Sequence, residues 1–450
     1  MSRPIPRSSA TPPAPGPSPT GALRLSDGLL ERRNRAFGAG AALFYETPLH
    51  IVRGEGAWLF DVDGRRYVDM YNNVPCVGHG NPRVAEAIGR QQGTLNVHSR
   101  YLHEDIIRLA ERVAGLHGDF AQSVIFSCSG TEANEIALRM ARMATGRRGI
   151  LCTDATYHGN TELVGAMSGL PAGSERSPGF RSFPFPQTFR TPEPGLSGAA
   201  LTEAYLVGLD RAMDALEASG DGIAALIVCS ILANEGLPDL PPGFMGRAAE
   251  RVRARGGLII ADEVQSGYGR TGQWWGYQVT GFTPDIVVTG KPMGNGVPLA
   301  ATTASRALVE TFRSRTRYFN TFASSPLQAA AGHAVLDEIE SRDLLANAGR
   351  VGAFLKAELK ARVGRWPGVA DARGCGLFLG VEMVGPDGAP DLAAARAVCN
   401  GLKDRGFLTS NAGAFNNVVK IRPPLVFSQA DAEAFLPAFD ATLDTLHGAG

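Results

Sequence analysis

GLIIADEVQSGYGRTGQ, residues 257–273, and PDIVVTGKPMGNGVPLA, residues 284–300, decide the fold. Leu258 to Ala261 and Ile286 to Val288 are short, rich in β-branched residues and bounded by Gly or Pro. Strands buried on both faces of a parallel sheet read this way. Asp262 follows the first run, and Lys291 lies just past the second. Ligands of open α/β sheets sit at the carboxyl ends of the strands, so a carboxylate and a lysine placed there converge on one ligand. Taken singly, Lys291 reads as a solvated loop lysine and Asp262 as a helix N-cap. Together they read as a site.

Pyridoxal phosphate chemistry calls for this pair. A lysine forms a Schiff base with the cofactor aldehyde, and a carboxylate keeps the pyridinium nitrogen protonated, so that the ring accepts electrons from the substrate carbon. Gly290, Gly294 and Gly296 flank Lys291 and let a planar group approach the backbone. ADEVQSGYGRTG followed by PDIVVTGKPMGNGVPLA resembles the signature of class III aminotransferases, pyridoxal phosphate enzymes of fold type I. The resemblance extends from about Phe44 to the C-terminal helix. It implies that Lys291 is the Schiff-base lysine and Asp262 the pyridinium partner. Val264 then packs on one ring face, and Gln265 reaches the phenolic oxygen. The implied architecture is α/β in two parts. A large domain, residues 83–330, carries a mostly parallel sheet of the seven-stranded type with the cofactor at its carboxyl edge. Residues 26–82 and 331–450 form a smaller α+β part. A homodimer with shared active sites is expected.

SVIFSCSGTEANEIALRMAR, residues 123–142, runs from a strand (Val124 to Ser127) through a small-residue turn into a helix. Glu132, Glu135 and the apolar period through Ile136, Leu138 and Met140 mark the helix start. Free N–H groups and the dipole at a helix N-terminus bind phosphate, although Ser and Thr cap many helices that bind nothing. SGTEAN resembles the family's SGSEAN-like motif, which implies phosphate on Ser129, Gly130 and Thr131. LCTDATYHGNT, residues 151–161, repeats the pattern of a strand followed by a polar loop. The resemblance places Tyr157 over the pyridine face with His158 beside it; read without it, Tyr157 is a core aromatic. YFNTFASSPLQAAAGHAVL, residues 318–336, resembles the segment whose threonine, here Thr321, reaches the phosphate in the other subunit.

Other segments define the surroundings. GAWLFDVDGRRYVDMY, residues 56–71, reads as a hairpin about Asp63-Gly64. In YNNVPCVGHGNP, residues 71–82, the resemblance makes Asn72, Asn73 and Cys76 candidates for the substrate entrance. Loop polar groups capping their own backbone is the equal alternative. Helices are expected over 83–92, 99–116, 201–218, 333–339, 344–363 and 429–446, and strands over 223–229, within RGCGLFLGVEM (373–383) and within NVVKIRPPLVF (417–427). Residues 168–199, rich in Pro, Gly and Ser, read as a surface excursion.

Two positions depart from the common family pattern. A glutamate often ends the strand that here ends in Cys229, where a thiol of ordinary pKa cannot pair with an arginine. Glu235 lies six residues further on. An arginine that binds the substrate α-carboxylate often precedes the PP pair; Lys420 stands there, with Arg422 nearer the prolines. Strand alternation puts both on one face, but lysine lacks the bidentate fork.

The 450 residues are 44% hydrophobic and 20% charged, with formal net charge +0. That composition is of a soluble globular protein with a large core. It argues against a nucleic-acid binder, and no apolar run has the length of a membrane span. The six cysteines show no metal-ligand spacing and suit a reducing, cytoplasmic compartment. His98 and His103 lack a third ligand of matching spacing. Residues 1–25, rich in Pro and Ser, read as a disordered tail. The expected activity is transfer of an amino group from an amino acid or amine to a keto acid or aldehyde. YNNVPCVGHGNP, SRYLHEDI, KPMGNG and NVVKIRPPLVF also resemble a subgroup with phospho-lyases, which eliminate phosphate from O-phosphorylated amino alcohols or hydroxylysine. A catalytically silent binding relative is the third reading, opposed by the retained Lys291, Asp262 and phosphate turn.

Overall fold

A computed structural model describes residues 28–168 and 177–448. The expected tail, residues 1–25, lies outside the described residues. Residues 28–53 and 60–65 belong to one compact unit, and residues 54–59 and 66–448 to a second. In the first, helix Leu29–Phe37 precedes the turn at the expected Asp63-Gly64. There Asp61 Oδ1 accepts the N–H groups of Asp63 (3.1 Å) and Arg65 (2.9 Å).

The second unit is built on a seven-stranded sheet. Its strands in chain order are β1 (Ser123–Ser127), β2 (Gly149–Thr153), β3 (Phe180–Phe183), β4 (Ile223–Cys229), β5 (Leu258–Asp262), β6 (Ile286–Thr289) and β7 (Ala300–Ala304). They lie in the order β1-β7-β6-β5-β4-β2-β3. Strand β7 pairs antiparallel with β1 and β6, while the other pairings are parallel. Hence β1 to β6 all end at one edge. Cys229 stands opposite Asp262, and Asp262 opposite Val288. The expected strands at 258–261 and 286–288 each extend by one residue.

Burial explains why these segments are strands. Every residue of β2, β4, β6 and β7 is buried, so continuous apolar runs replace alternation. The helix after β1, Gly130–Thr145, starts at Ser129 with a capping box to Glu132 and stops at Gly146. Its buried positions Ala133, Ile136, Ala137 and Met140 recur at helical spacing and face the sheet core. The neighbouring Glu263 is fully buried. It accepts from Ser230 Oγ (2.5 Å), Ser266 Oγ (2.6 Å) and the N–H groups of Gly276 (2.8 Å) and Tyr277 (2.9 Å). Four donors tie the loop after β5 into one piece.

A four-stranded antiparallel sheet follows: β8 (Val369–Cys375), β9 (Phe378–Met383), β10 (Ser410–Ala412) and β11 (Val418–Ile421), in the order β8-β9-β11-β10. Helices Leu344–Lys360, Leu392–Asp404 and Gln429–His447 accompany it. Three expectations are corrected. RGCGLFLGVEM is a hairpin, because Gly374 (φ 110°) and Gly376 (φ 55°) reverse the chain. The helix expected from Ser99 begins at Glu104, after an extended His103. Within 168–199, where 169–176 lie outside the described residues, β3 buries Phe180 and Phe183 at the sheet edge.

Strand β2 opens with Gly149 because nothing larger fits. A Cβ there would lie 2.0 Å from the Gly222 carbonyl oxygen. Gly149→Ala is expected to destabilise the protein by about 1–3 kcal/mol, the usual cost of overpacking. An unchanged chemical-unfolding midpoint would show that the contact yields freely.

Candidate active site

The carboxyl ends of β1, β2, β4, β5 and β6 open on one cavity of about 360 Å³, within the range of small-molecule sites. Ser129, Gly130, Thr131, Tyr157, His158, Cys229, Asp262, Val264, Gln265 and Lys291 all line it. The strand-end logic therefore gathers ten of the residues singled out from the sequence. Asn72, Thr321, Lys420 and Arg422 are not among its lining residues.

Asp262 is the last residue of β5 and is buried. Oδ1 accepts the Val264 N–H at 3.0 Å. Oδ2 accepts from Asn134 Nδ2 at 3.0 Å and meets His158 Nδ1 at 2.6 Å. The other ring nitrogen of His158 lies 2.7 Å from Thr156 Oγ1. His158 thus stands behind Asp262, where it orients the carboxylate. Asn134, on the inner face of the helix from Gly130, also donates to the His158 carbonyl at 2.8 Å. Sequence reasoning missed Asn134; its signal was its place on that inner face, one turn past Gly130.

Lys291 opens the short helical turn Lys291–Gly294 after β6. Asn295 braces this turn. Its backbone is left-handed (φ 47°), and its side chain bonds the Val77 N–H at 3.1 Å and the Gly78 carbonyl at 3.0 Å. Lys291 is exposed to the cavity, yet desolvation by the surrounding protein, then the Arg422 guanidinium, lowers its ammonium pKa from its ordinary value, against an opposing pull from Asp262.

At the turn after β1, the first helical bond is Ala133 N–H to Ser129 carbonyl, 3.1 Å. The N–H groups of Gly130 and Thr131 have no acceptor within the helix and border the cavity, at the positive end of the dipole. Thr131 Oγ1 accepts from the N–H groups of Asn160 (3.0 Å) and Thr161 (3.1 Å), holding the Tyr157 loop. That loop passes so close that a Cβ on Gly159 (φ 137°) would sit 2.3 Å from Thr131 Oγ1. Likewise a Cβ on Gly130 would lie 2.9 Å from Val264 Cγ2. Tyr157 is 43% exposed, which places it on the cavity wall and not in the core.

The remaining candidates have other places. Asn72 Oδ1 accepts the Val74 N–H at 3.0 Å, so this residue caps its own loop, and Val74 reaches the cavity in its stead. Cys76 is buried, with Sγ 3.2 Å from the Pro292 carbonyl, and Asn73 is buried as well. Neither serves as an entrance group. Thr321 is exposed in this chain. Lys420 and Arg422 lie buried over the Tyr71 ring, at 5.3 and 5.1 Å. Arg422 meets the cavity wall at Gln265, to whose Oε1 it donates, and its Nε donates to the Tyr71 carbonyl at 3.0 Å. Burial, Arg422 and Lys291 together lower the Lys420 pKa. Burial raises the Cys229 thiol, next to Asp262 and Glu235, so it is neutral. Glu235 turns away to Thr153 Oγ1, 2.5 Å, and burial raises its carboxyl pKa.

These residues fit a phosphorylated pyridine aldehyde: backbone donors for the phosphate, a held carboxylate for the ring nitrogen and a lysine for the aldehyde. The profile of the family described as Aminotransferase class-III matches residues 42–443. The chain belongs to the class-III aminotransferases. An alanine–glyoxylate aminotransferase 2-like protein of Drosophila melanogaster is 33% identical over 91% of this chain and 85% of its own length. An ethanolamine-phosphate phospho-lyase homologue of Caenorhabditis elegans is 30% identical over 96% and 97%. Among solved structures, an Arthrobacter phospholyase in complex with phosphoethanolamine superposes with TM-score 0.89 at 39% identity, covering 93% of this chain and 99% of its own. An omega transaminase from Pseudomonas jessenii, solved in complex with PMP, gives 0.84 at 26% identity, covering 94% and 99%. This class-III aminotransferase is a pyridoxal-phosphate enzyme of fold type I.

Because the protein disfavours the ammonium form, the free amine of Lys291 emerges at lower pH than that of an ordinary lysine. Competitive acylation of the cofactor-free protein should give Lys291 a midpoint below 10.5, the ordinary value. A midpoint at or above it would contradict the electrostatic reading.

Proposed function

We propose that this enzyme moves the amino group of a primary amine or amino acid to a keto acid or aldehyde, with Lys291 and Asp262 as its catalytic residues. The observation that carries the proposal is that Lys291 and Asp262 are the one lysine and the one carboxylate among the lining residues of a single cavity. The cofactor, when bound, supplies an electron sink for the substrate carbon. Asp262, clamped by Asn134 and His158, holds the proton on the ring nitrogen. Lys291 Nζ would take the proton from substrate Cα, which is general-base work for an amine whose pKa has been lowered. The N–H groups of Gly130 and Thr131 hold the phosphate, with Ser129 fixing the turn. Val264 and Tyr157 flank the ring, and Gln265 serves its phenolic oxygen.

The same reading includes a homodimer in which Thr321 extends to the partner subunit's cofactor phosphate. It also includes a cytoplasmic location, a division into residues 83–330 and a smaller part from 26–82 and 331–450, and no nucleic-acid or membrane partner. Lys420 and Arg422 then act at the substrate end, from behind Gln265.

A second reading, elimination of phosphate from an O-phosphorylated amino alcohol, is favoured by the Arthrobacter neighbour, solved in complex with phosphoethanolamine. It shares the Cα proton step and diverges at a β leaving group.

One experiment separates the two. The holoenzyme is mixed with amino acids, diamines and phosphoethanolamine while its visible absorption and free phosphate are followed. Lasting loss of the visible band with a carbonyl product and no phosphate is the transaminase outcome. Return of the band with stoichiometric phosphate replaces it with the lyase. Asp262→Ala should keep the fold and lower kcat by about 10²–10³-fold, the scale for one preorganised electrostatic partner; unchanged turnover would remove Asp262 from the mechanism.

A further inference from the structure

The loop after β4, residues 230–237, carries a residue to which no role has been given. Asn234 Nδ2 donates to the Tyr157 carbonyl at 3.1 Å, and Asn234 Oδ1 accepts from Gln265 Nε2 at 3.3 Å. Gln265 Oε1 accepts in turn from the Arg422 guanidinium, and Arg422 Nε donates to the Tyr71 carbonyl. A chain of hydrogen bonds therefore crosses the cavity wall from Tyr157 through Asn234 and Gln265 to Arg422.

Its direction is dictated by its ends. A carbonyl only accepts and a guanidinium only donates. The two amides between them must align head to tail, with Asn234 presenting nitrogen to Tyr157 and oxygen to Gln265. Gln265 must then present nitrogen to Asn234 and oxygen to Arg422. Rotating either amide by half a turn would set oxygen against oxygen on one side and nitrogen against nitrogen on the other. The Gln265 carbonyl is thus committed to Arg422. Its NH₂ group gives one N–H to Asn234 and keeps the second for the cavity that Gln265 lines.

We propose that Asn234 is a positioning residue that, with Arg422 holding the carbonyl end, fixes the direction of the Gln265 NH₂ group so that its second N–H faces the phenolic oxygen of the cofactor. This rests on the reading of Gln265 given above. The loop backbone is anchored without the Asn234 side chain: Gly413 N–H donates to the Asn234 carbonyl (3.2 Å), Leu232 N–H to Cys229 (2.9 Å) and Leu237 N–H to Leu232 (3.0 Å). Removing the amide leaves the loop attached and Gln265 held at its carbonyl end alone, by Arg422, so that its NH₂ group can swing about that one bond. An N–H directed at the phenolic oxygen stabilises its anion, so losing it makes that oxygen retain its shared proton to higher pH.

The test is a spectroscopic pH titration of the holoenzyme's visible band in wild type, Asn234→Leu, Gln265→Leu and the double variant. Each single variant should raise the midpoint by about one pH unit, equivalent to one charge-assisted hydrogen bond, and weaken cofactor retention about tenfold. The double variant should move no further than Gln265→Leu alone, because Asn234 acts through Gln265. An unmoved midpoint in Asn234→Leu, or an Asn234 effect that persists in full on the Gln265→Leu background, would overturn the proposal. Asn234→Ser, which removes the amide with less bulk, reads the same midpoint should the leucine variant not fold. A wild-type protein that shows no visible band with pyridoxal phosphate would instead undo the underlying reading of the site.

Discussion

A carboxylate at the end of a buried strand is tolerable only when donors surround it, and Asp262 meets that condition with three. The Val264 N–H comes from its own loop, the Asn134 amide from the helix after β1 and the His158 ring from the loop after β2. These are the segments that also carry the turn at Ser129 and the Tyr157 loop. Holding one charge therefore fixes the relative places of the groups that would grip opposite ends of a cofactor. Glu263, next in sequence and wholly buried, does the same on the far side for the loop that returns through Gly276 and Tyr277. Two adjacent carboxylates on opposite faces of one strand end organise the ground on both sides of it.

The far side of Gln265 follows a different physical rule. There the buried groups are basic, Arg422 and a Lys420 whose ammonium form is disfavoured, and a neutral amide separates them from the cavity. Polar side chains with an imposed donor-to-acceptor direction fill the gap. Such a wall carries orientation without carrying net charge. It contrasts with the glutamate that the family resemblance leads one to expect at the end of β4, where the neutral thiol of Cys229 stands.

Much of this was legible in the sequence because strand ends are local. The runs before Asp262 and Lys291 are buried strands by composition alone, and the parallel arrangement brings their ends together wherever the intervening chain goes. SGTEAN gave the helix start for the same reason. What sequence could not show depended on long-range partners. Asn72 and Asn134 are both asparagines in polar surroundings, yet one caps its own turn and the other holds Asp262. Only the distance to a residue far along the chain separates them. Asn234 and Glu235 sit in a loop where Leu232 and Leu237 take positive φ (49° and 57°). Branched residues rarely adopt that conformation, so the direction in which the loop aims its side chains was not readable from residue type. The hairpin at 374–376 was missed because two glycines inside an apolar run look like a weakened strand until their φ angles are known.

The lowered proton affinity of Lys291 has a consequence before any cofactor arrives. Surface lysines are shielded from electrophiles by remaining ammonium ions, whereas this amine spends more of its time as a nucleophile, at the end of a cavity of about 360 Å³ that small carbonyl compounds can fill. Before its cofactor binds, the chain thus carries a reactive amine in an open cavity. Any small aldehyde would meet that amine where the intended one does, so a bound cofactor would also shield it.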